Sequence, residues 1–405
     1  MTVKTFRGRV VTPNTIIDDG VVVLDGGVIA WIGESIEAAD AGYGDEVLAA
    51  SAPTDDRYIL PGLVDVHCHG GGGESFPNAE TREQVLTAIK EHRRHGTTAM
   101  VASLVTDSPM VLRERAELLA EVCVSGELEG IHFEGPFVAY NHRGAQSAEH
   151  IQAPNPALTR ELIIASRGYA VTMTIAPEKP YVNGSGGVVD TLLSNGALPS
   201  FGHTDTDAKH MRETLRETRE MLAHTPNPRC PRATITHLFN GMAPMHHRDP
   251  GPIMEILDDS VSGGVMVELI GDGVHVAPDM VRGVYDLLGR ENIALVTDAM
   301  AAAGLADGDY VLGVQAVKVA DGVATLVEGG NIAGGTSHLL DQIKIVTAAG
   351  IPMVDAVYCA SVSGARIIGD ESLGGLVVGK RGDLIVTDPN LNPIEVYRKG
   401  ELVNS

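Results

Sequence analysis

Residues 61 to 73 read PGLVDVHCHGGGG and put His67 and His69 one residue apart at the end of a short apolar run. Side chains at i and i+2 of a strand point to the same face, so the two imidazoles aim together, with Asp65 behind them. Two such rings at one strand end can ligate a divalent metal, and the glycines that follow leave room above them for a small molecule. Four more apolar runs end in a group able to hold a metal or move a proton. GIHFEGPF carries Glu134, PSFGHTDT carries His203, ATITHLFN carries His237 and IALVTDA carries Asp298. Each has a plain alternative when taken singly: a satisfied core histidine, a carboxylate in an ion pair, an aspartate capping a helix. Their occurrence together at five strand ends favours a metal site. Nitrogen and carboxylate donors in this mixture suit Zn²⁺ or a similar first-row ion and leave coordination positions open for water.

Groups so far apart in sequence converge only if the strand ends do. Apolar runs near 63–67, 98–103, 130–134, 170–175, 198–203, 233–238, 264–270 and 293–298 alternate with helical patterns. Thr81 with Gln84 forms a capping box that opens a helix closing at Gly96, and Ser108-Pro109 is an N-cap followed by proline at N1. AKHMRETLRETREML and PDMVRGVYDLLGR are amphipathic. Eight buried strands alternating with helices predict an α/β fold of the (β/α)8 TIM-barrel type, whose catalytic groups sit at the C-terminal strand ends. A doubly wound open sheet is the rival, weakened by the lack of a G-x-G-x-x-G at the first strand-to-helix turn. At the N-terminus, VVVLDGGVIAWIG is a hairpin pattern around Asp25-Gly26-Gly27, and the tail LVVGKRGDLIVTDPNLNPIEVYRKGELV supplies further short strands. Neither end can bury a core alone, so residues 1–60 and 365–405 are expected to form one small β domain beside a barrel at 61–364. A β-rich insertion after the eighth strand, from Asp309, is placed to line or cover the site.

The chain has 405 residues, 44% of them hydrophobic, with a formal net charge of −23. No apolar run approaches the roughly 18 residues of a membrane span, and the acidic balance argues against nucleic acid and anionic membranes as partners. The N-terminus lacks the apolar core of a secretory signal, which leads to the expectation of a cytoplasmic protein. Cys68, Cys123, Cys230 and Cys359 are scattered and form no CxxC pair, so they read as reduced thiols. An anionic substrate would need a local cationic patch, and His246-His247-Arg248 is one, with Arg143 a possible addition.

HFEGPF, GHTDTD, THLFNGM with HHRDPG, GDGVH and VTDAM occur in this order. In these motifs the chain resembles the N-acetylglucosamine-6-phosphate deacetylases of the amidohydrolase superfamily, from the first β segment to the GKRGDLIVTD tail. HxH and the tail are superfamily features, whereas HFEGPF with THLFNGM and HHRDPG is far more specific. The resemblance implies hydrolysis of the acetamide of a phosphorylated amino sugar, giving D-glucosamine 6-phosphate and acetate. It implies that Glu134, His203 and His237 hold the catalytic metal and that Asp298 is the acid/base. Ala145, Asn240, Gly241, His275 and the IAGG segment Ile332, Ala333, Gly334 and Gly335 would contact the sugar. Arg248 would contact the phosphate from the neighbouring subunit of a homodimer. The metal expected is zinc, with iron, manganese, cobalt or cadmium compatible. Some members lack the HxH pair and use one metal, so its presence here makes one or two ions per chain the expectation. Many carry histidine after the Gly-Ala pair where this chain has Gln146. A different amidohydrolase, dihydroorotase-like or aminoacylase-like, is the alternative that HHRDPG argues against. A catalytically silent barrel would be expected to lose ligands, and this sequence keeps them all.

Overall fold

The computed structural model describes residues 3–45 and 56–403; the parts of the terminal segments at 1–2, 46–55 and 404–405 lie outside the described residues. Eight parallel strands make the central sheet, in chain order Leu63–Cys68, Thr97–Leu104, Gly130–Phe137, Ala170–Ile175, Leu198–Phe201, Ala233–Ile235, Val265–Leu269 and Ile293–Leu295. Every residue of these strands is buried. That is why they read as continuous apolar runs and not as alternating ones. The ring closes just past the last strand. Ala299 pairs in parallel with Cys68, the Asp298 N–H donates to the His67 carbonyl at 2.9 Å, and the His69 N–H donates to the Ala299 carbonyl at 2.7 Å. The expected (β/α)8 barrel is therefore present.

Several of the helices outside the barrel begin where side chains satisfy free backbone donors. Thr81 and Gln84 make the reciprocal capping box at Arg82–Arg94, and the Ser108 hydroxyl accepts from the Val111 N–H at the start of Pro109–Val124. In Ala208–His224 the buried side chains Met211, Thr214, Leu215, Thr218 and Leu222 follow the three-and-four spacing of one helical face. Burying each leucine contributes about 1.5–3 kcal/mol. Asp207 caps the first turn through the His210 N–H.

The chain ends build a seven-stranded sheet in the order Glu401–Leu402, Pro393–Arg398, Leu384–Thr387, Tyr58–Pro61, Lys4–Val11, Ile16–Asp25, Val28–Glu34. The hairpin turn falls at Gly26 and Gly27, whose φ of 61° and 84° only glycine adopts freely. The helix Val362–Ile368 belongs with the barrel by packing: a Cβ on Gly364 would lie 2.6 Å from the Val64 carbonyl. We accordingly propose that the small β domain resumes after residue 368 and not at 365. The insertion after the eighth strand is an antiparallel sheet of Gly308–Leu312, Gln315–Ala320 and Val323–Leu326.

Candidate active site

Three of the strands expected to carry the site stop early. They end at Phe201, Ile235 and Leu295, and His203, His237 and Asp298 follow two or three residues later with φ of 46°, 26° and 48°. A left-handed backbone is unfavourable for these residue types, and such positions cluster at sites where surrounding structure dictates a side-chain direction. Here each turn leaves the barrel rim and sends its side chain over the mouth. His67 and Glu134 lie within strands, and His69 follows one directly.

All six groups converge. His203 Nε2 and His237 Nε2 stand 2.8 and 2.9 Å from Glu134 Oε1 and 3.1 Å from each other. His69 Nε2 is 3.1 Å from Glu134 Oε2, 3.2 Å from Asp298 Oδ1 and 3.2 Å from His67 Nε2. The two donor sets, Glu134 with His203 and His237, and Glu134 with His67 and His69, are each compact enough for one ion. Four ligands at about 2.0–2.1 Å in a tetrahedron have edges of about 3.3 Å, close to these separations. The residues thus fit a divalent metal.

The far side of three rings is fixed. His67 Nδ1 faces Glu268 Oε2 at 3.0 Å, His69 Nδ1 the Ser103 carbonyl at 3.2 Å, and His203 Nδ1 the His142 carbonyl at 2.8 Å. Each acceptor leaves Nε2 as the nitrogen turned toward the centre. Asp65, beneath, accepts from the Thr297 hydroxyl at 2.6 Å and from the His67 N–H at 3.2 Å. Burial opposes the charged form of His69, but hydrogen bonds to Asp298 and Glu134 outweigh it and raise its pKa to about 10. Burial likewise opposes the His67 imidazolium, which Asp298 and then Glu268 raise to about 8. Burial would raise the two carboxyls. The bonds from His203 and His237 hold Glu134 well below its ordinary value, and the charges of His67 and His69 do the same for Asp298. Ligands must be free of protons to bind a metal, so loading the site displaces protons from these rings.

Above the cluster opens a cavity of about 310 Å³ lined by Ala145, Asn240, Gly241, His275, Ile332 and Gly334 of the expected sugar contacts. Gly241 needs its missing side chain, since a Cβ there would sit 2.6 Å from His203 Nδ1. Ala333 and Gly335 stand behind the wall: Ala333 is buried against the insertion, and the Gly335 N–H donates to the Asp298 carbonyl at 2.6 Å. Arg248 does not line the cavity. It lies on an exposed turn with its guanidinium 2.9 Å from His247 Nε2, and Arg143 is stacked over Tyr140 instead. Among the described residues no lysine or arginine lines this cavity.

Three participants, Glu268, Asp272 and Leu312, escaped sequence reasoning, as did the contacts of Gln146. Glu268 was read as part of an apolar strand, although one acid within VMVEL was the available clue. Asp272 accepts from His275 Nδ1 at 2.7 Å and directs Nε2 at the cavity. Gln146 donates its amide N–H to Glu134 Oε2 at 2.6 Å while its oxygen accepts from the Thr106 N–H at 2.7 Å. Leu312, from the insertion, helps close the wall.

The two donor sets make a prediction about metal count. Replacing His67 with Gln and His69 with Asn should leave one ion, held by Glu134, His203 and His237, where the unaltered protein should take up to two. Metal analysis after loading with excess ion and gel filtration reads this directly. An unaltered protein that never exceeds one ion would rule out the second site.

Comparison with known proteins places this geometry in context. The amidohydrolase family model matches residues 58–403. A Bacillus subtilis N-acetylglucosamine-6-phosphate deacetylase is 29% identical over 404 residues, covering 97% of this chain and 95% of its own. The human protein of that name is 30% identical over 361 residues, covering 86% of this chain and 83% of its own. Among solved structures, a mutant N-acetyl-D-glucosamine-6-phosphate deacetylase from Mycobacterium smegmatis, in complex with N-acetyl-D-glucosamine-6-phosphate, superposes with a TM-score of 0.86 at 31% identity over 100% of both chains.

Proposed function

The chain belongs to the amidohydrolase family, and we propose that within it the chain hydrolyses the acetamide of N-acetyl-D-glucosamine 6-phosphate to D-glucosamine 6-phosphate and acetate. The observation that carries this reading is the meeting of Asp298, 3.2 Å from His69 Nε2, with the Glu134, His203 and His237 cluster under one small polar cavity. Full-length relatives of the same activity support it. Release of acetate from the phosphorylated sugar by metal-loaded protein tests it, and no release would refute it.

A divalent ion bound by Glu134, His203 and His237, for which zinc is the proposed identity, would lower the pKa of its water towards about 7 and polarise the acetyl carbonyl. In the metal-free site the charges of His67 and His69 outweigh burial and hold the Asp298 carboxyl well below its ordinary value, and a bound cation would take over that role, so the carboxylate is ready to accept a proton. It takes one from the attacking water as the carbon–oxygen bond forms. It then delivers that proton to the amine nitrogen as the carbon–nitrogen bond breaks, one positioned group serving both transfers. His275 has its Nε2 3.9 Å from Asp298 Oδ2. Burial opposes its charge, but the bond to Asp272 and the nearby Asp298 raise its pKa, which favours a form with an N–H aimed into the cavity. It is suited to hold the acetyl oxygen or a sugar hydroxyl. Thr106 fixes which end of the Gln146 amide faces Glu134, so that side chain holds the shared carboxylate in place.

Among the described residues of a single chain the phosphate finds no arginine or lysine on the cavity wall. Arg248 is exposed on the His246–Asp249 turn and is proposed to reach the site of a second copy, so the working form would be a homodimer with shared sites in the cytoplasm. Charges more than about 8 Å apart are screened at physiological ionic strength, so one bidentate arginine can prevail locally over the net charge of −23. Arg248→Ala should reduce kcat/KM for the 6-phosphate by roughly 10- to 100-fold, the worth of a charge-assisted contact. Hydrolysis of unphosphorylated N-acetylglucosamine should change little. Mixing Arg248→Ala with Asp298→Asn chains should restore part of the activity once mass spectrometry shows that subunits have exchanged. Exchanged heterodimers without activity would refute the shared site.

A further inference from the structure

A second cavity, of about 550 Å³, lies at the opposite end of the barrel. Its walls come from the loop that leads into the strand Ala233–Ile235 and from the end of the helix Val362–Ile368, both at the N-terminal ends of the strands. Arg229, Arg232, Arg366 and Lys380 line it, together with Asp370 and Glu371. Four cations at one cavity are out of keeping with a chain of net charge −23.

Two of these arginines are held from behind by neutral acceptors. Arg229 donates from Nε to the Gly196 carbonyl at 2.9 Å, from Nη1 to that of Ile368 at 2.8 Å and from Nη2 to that of Gly168 at 3.3 Å. Arg232 donates from Nη1 to Asn292 Oδ1 at 2.7 Å and from Nη2 to the Glu291 carbonyl at 2.9 Å. Carbonyl oxygens position a guanidinium but leave its charge uncompensated. Among the described residues neither arginine makes an ion pair, whereas the similarly half-buried Arg93, Arg290, Arg381 and Arg398 each face a carboxylate. Burial accordingly pushes the pKa of both Arg229 and Arg232 down. A partly desolvated cation without a partner is costly, and an arriving anion relieves that cost. Of five N–H donors on each guanidinium, these bonds use three on Arg229 and two on Arg232. The rest remain for a ligand. Arg366 is paired with Glu291, and Lys380 Nζ donates to the Leu373 carbonyl at 2.8 Å with donors to spare.

We propose that this rear cavity binds a phosphate oxyanion, either free phosphate or the phosphate of a small monoester, through Arg229, Arg232, Arg366 and Lys380. Planar guanidinium forks match phosphate oxygens in pairs. The volume exceeds that of phosphate alone, and Asp370 and Glu371 would accept from hydroxyl or ammonium groups of an attached body. The site is separate from the catalytic mouth and does not depend on the reaction assigned there.

The test is calorimetric titration of the metal-loaded protein with inorganic phosphate and, separately, with glucose 6-phosphate, alongside thermal unfolding in each. The Arg232→Gln/Arg366→Gln variant is compared with the unaltered chain. It should bind one anion fewer per chain and lose part of the anion-dependent rise in Tm, while turnover in phosphate-free buffer is unchanged. Tighter rear binding of glucose 6-phosphate than of phosphate would assign the site to monoesters, and the reverse to free phosphate. Equal stoichiometry and affinity in variant and unaltered protein would overturn the proposal. Should the double variant fail to fold, Arg366→Gln alone alters an exposed side chain and should weaken the rear site by about tenfold; unchanged binding there would overturn it equally.

Discussion

Asp298→Asn should fold, retain its metal and lose deacetylation by about 10² to 10⁴ in kcat, with the larger figure expected because in the proposed mechanism one carboxylate would serve two proton transfers. The substitution preserves shape and the backbone bonds that Asp298 makes at the barrel seam, where its N–H meets the His67 carbonyl. What it removes is the oxygen that can carry a proton, together with the charge opposite His67 and His69. Stopped-time acetate assays with metal analysis of the same sample separate chemistry from loading. A metal-replete variant with near-normal turnover would show that another group moves the proton.

Glu134→Gln should have a comparably large effect by a different route. Glu134 is the one residue common to both donor sets, with Oε1 toward His203 and His237 and Oε2 toward His69. Removing an outer partner of a metal ligand typically costs about 10- to 100-fold in affinity, and losing the shared ligand itself should cost more. Purified variant is therefore expected to hold less than one ion per chain and to show almost no activity, with both partly recovered at high added metal. Two tightly held ions in Glu134→Gln would mean that the histidines suffice without the carboxylate.

The barrel was legible because parallel strands buried on both faces leave continuous apolar runs, and six chemically able groups stood at or just past the ends of those runs. The turn-outs at His203, His237 and Asp298 were not legible, since a left-handed backbone at histidine or aspartate has no local sequence marker. Those three strands were therefore drawn too long. Glu268 was hidden for a related reason: its partner His67 is 201 residues away, and one acid in a strand does not say which ring it will meet. Gln146 was noticed only as a departure from histidine, and its bond to Glu134 required the fold. Arg248 sits where its motif suggested an exposed cationic turn, but the sequence could not say that, among the described residues, a single chain's cavity would be left without an arginine or lysine.

The seam of the barrel sets when a newly made chain can close its ring of strands. His67 and His69 leave the ribosome early, and Asp298, whose backbone locks onto theirs, follows roughly 230 residues later. At about 5–20 residues per second that interval is roughly ten to fifty seconds. During it the histidine pair has neither Asp298 nor the closing strand beside it, while Glu134, His203 and His237 arrive one at a time. The ring on which both donor sets converge can close only once the eighth strand has emerged, so the first of its residues to be made wait longest for the fold that brings them all together.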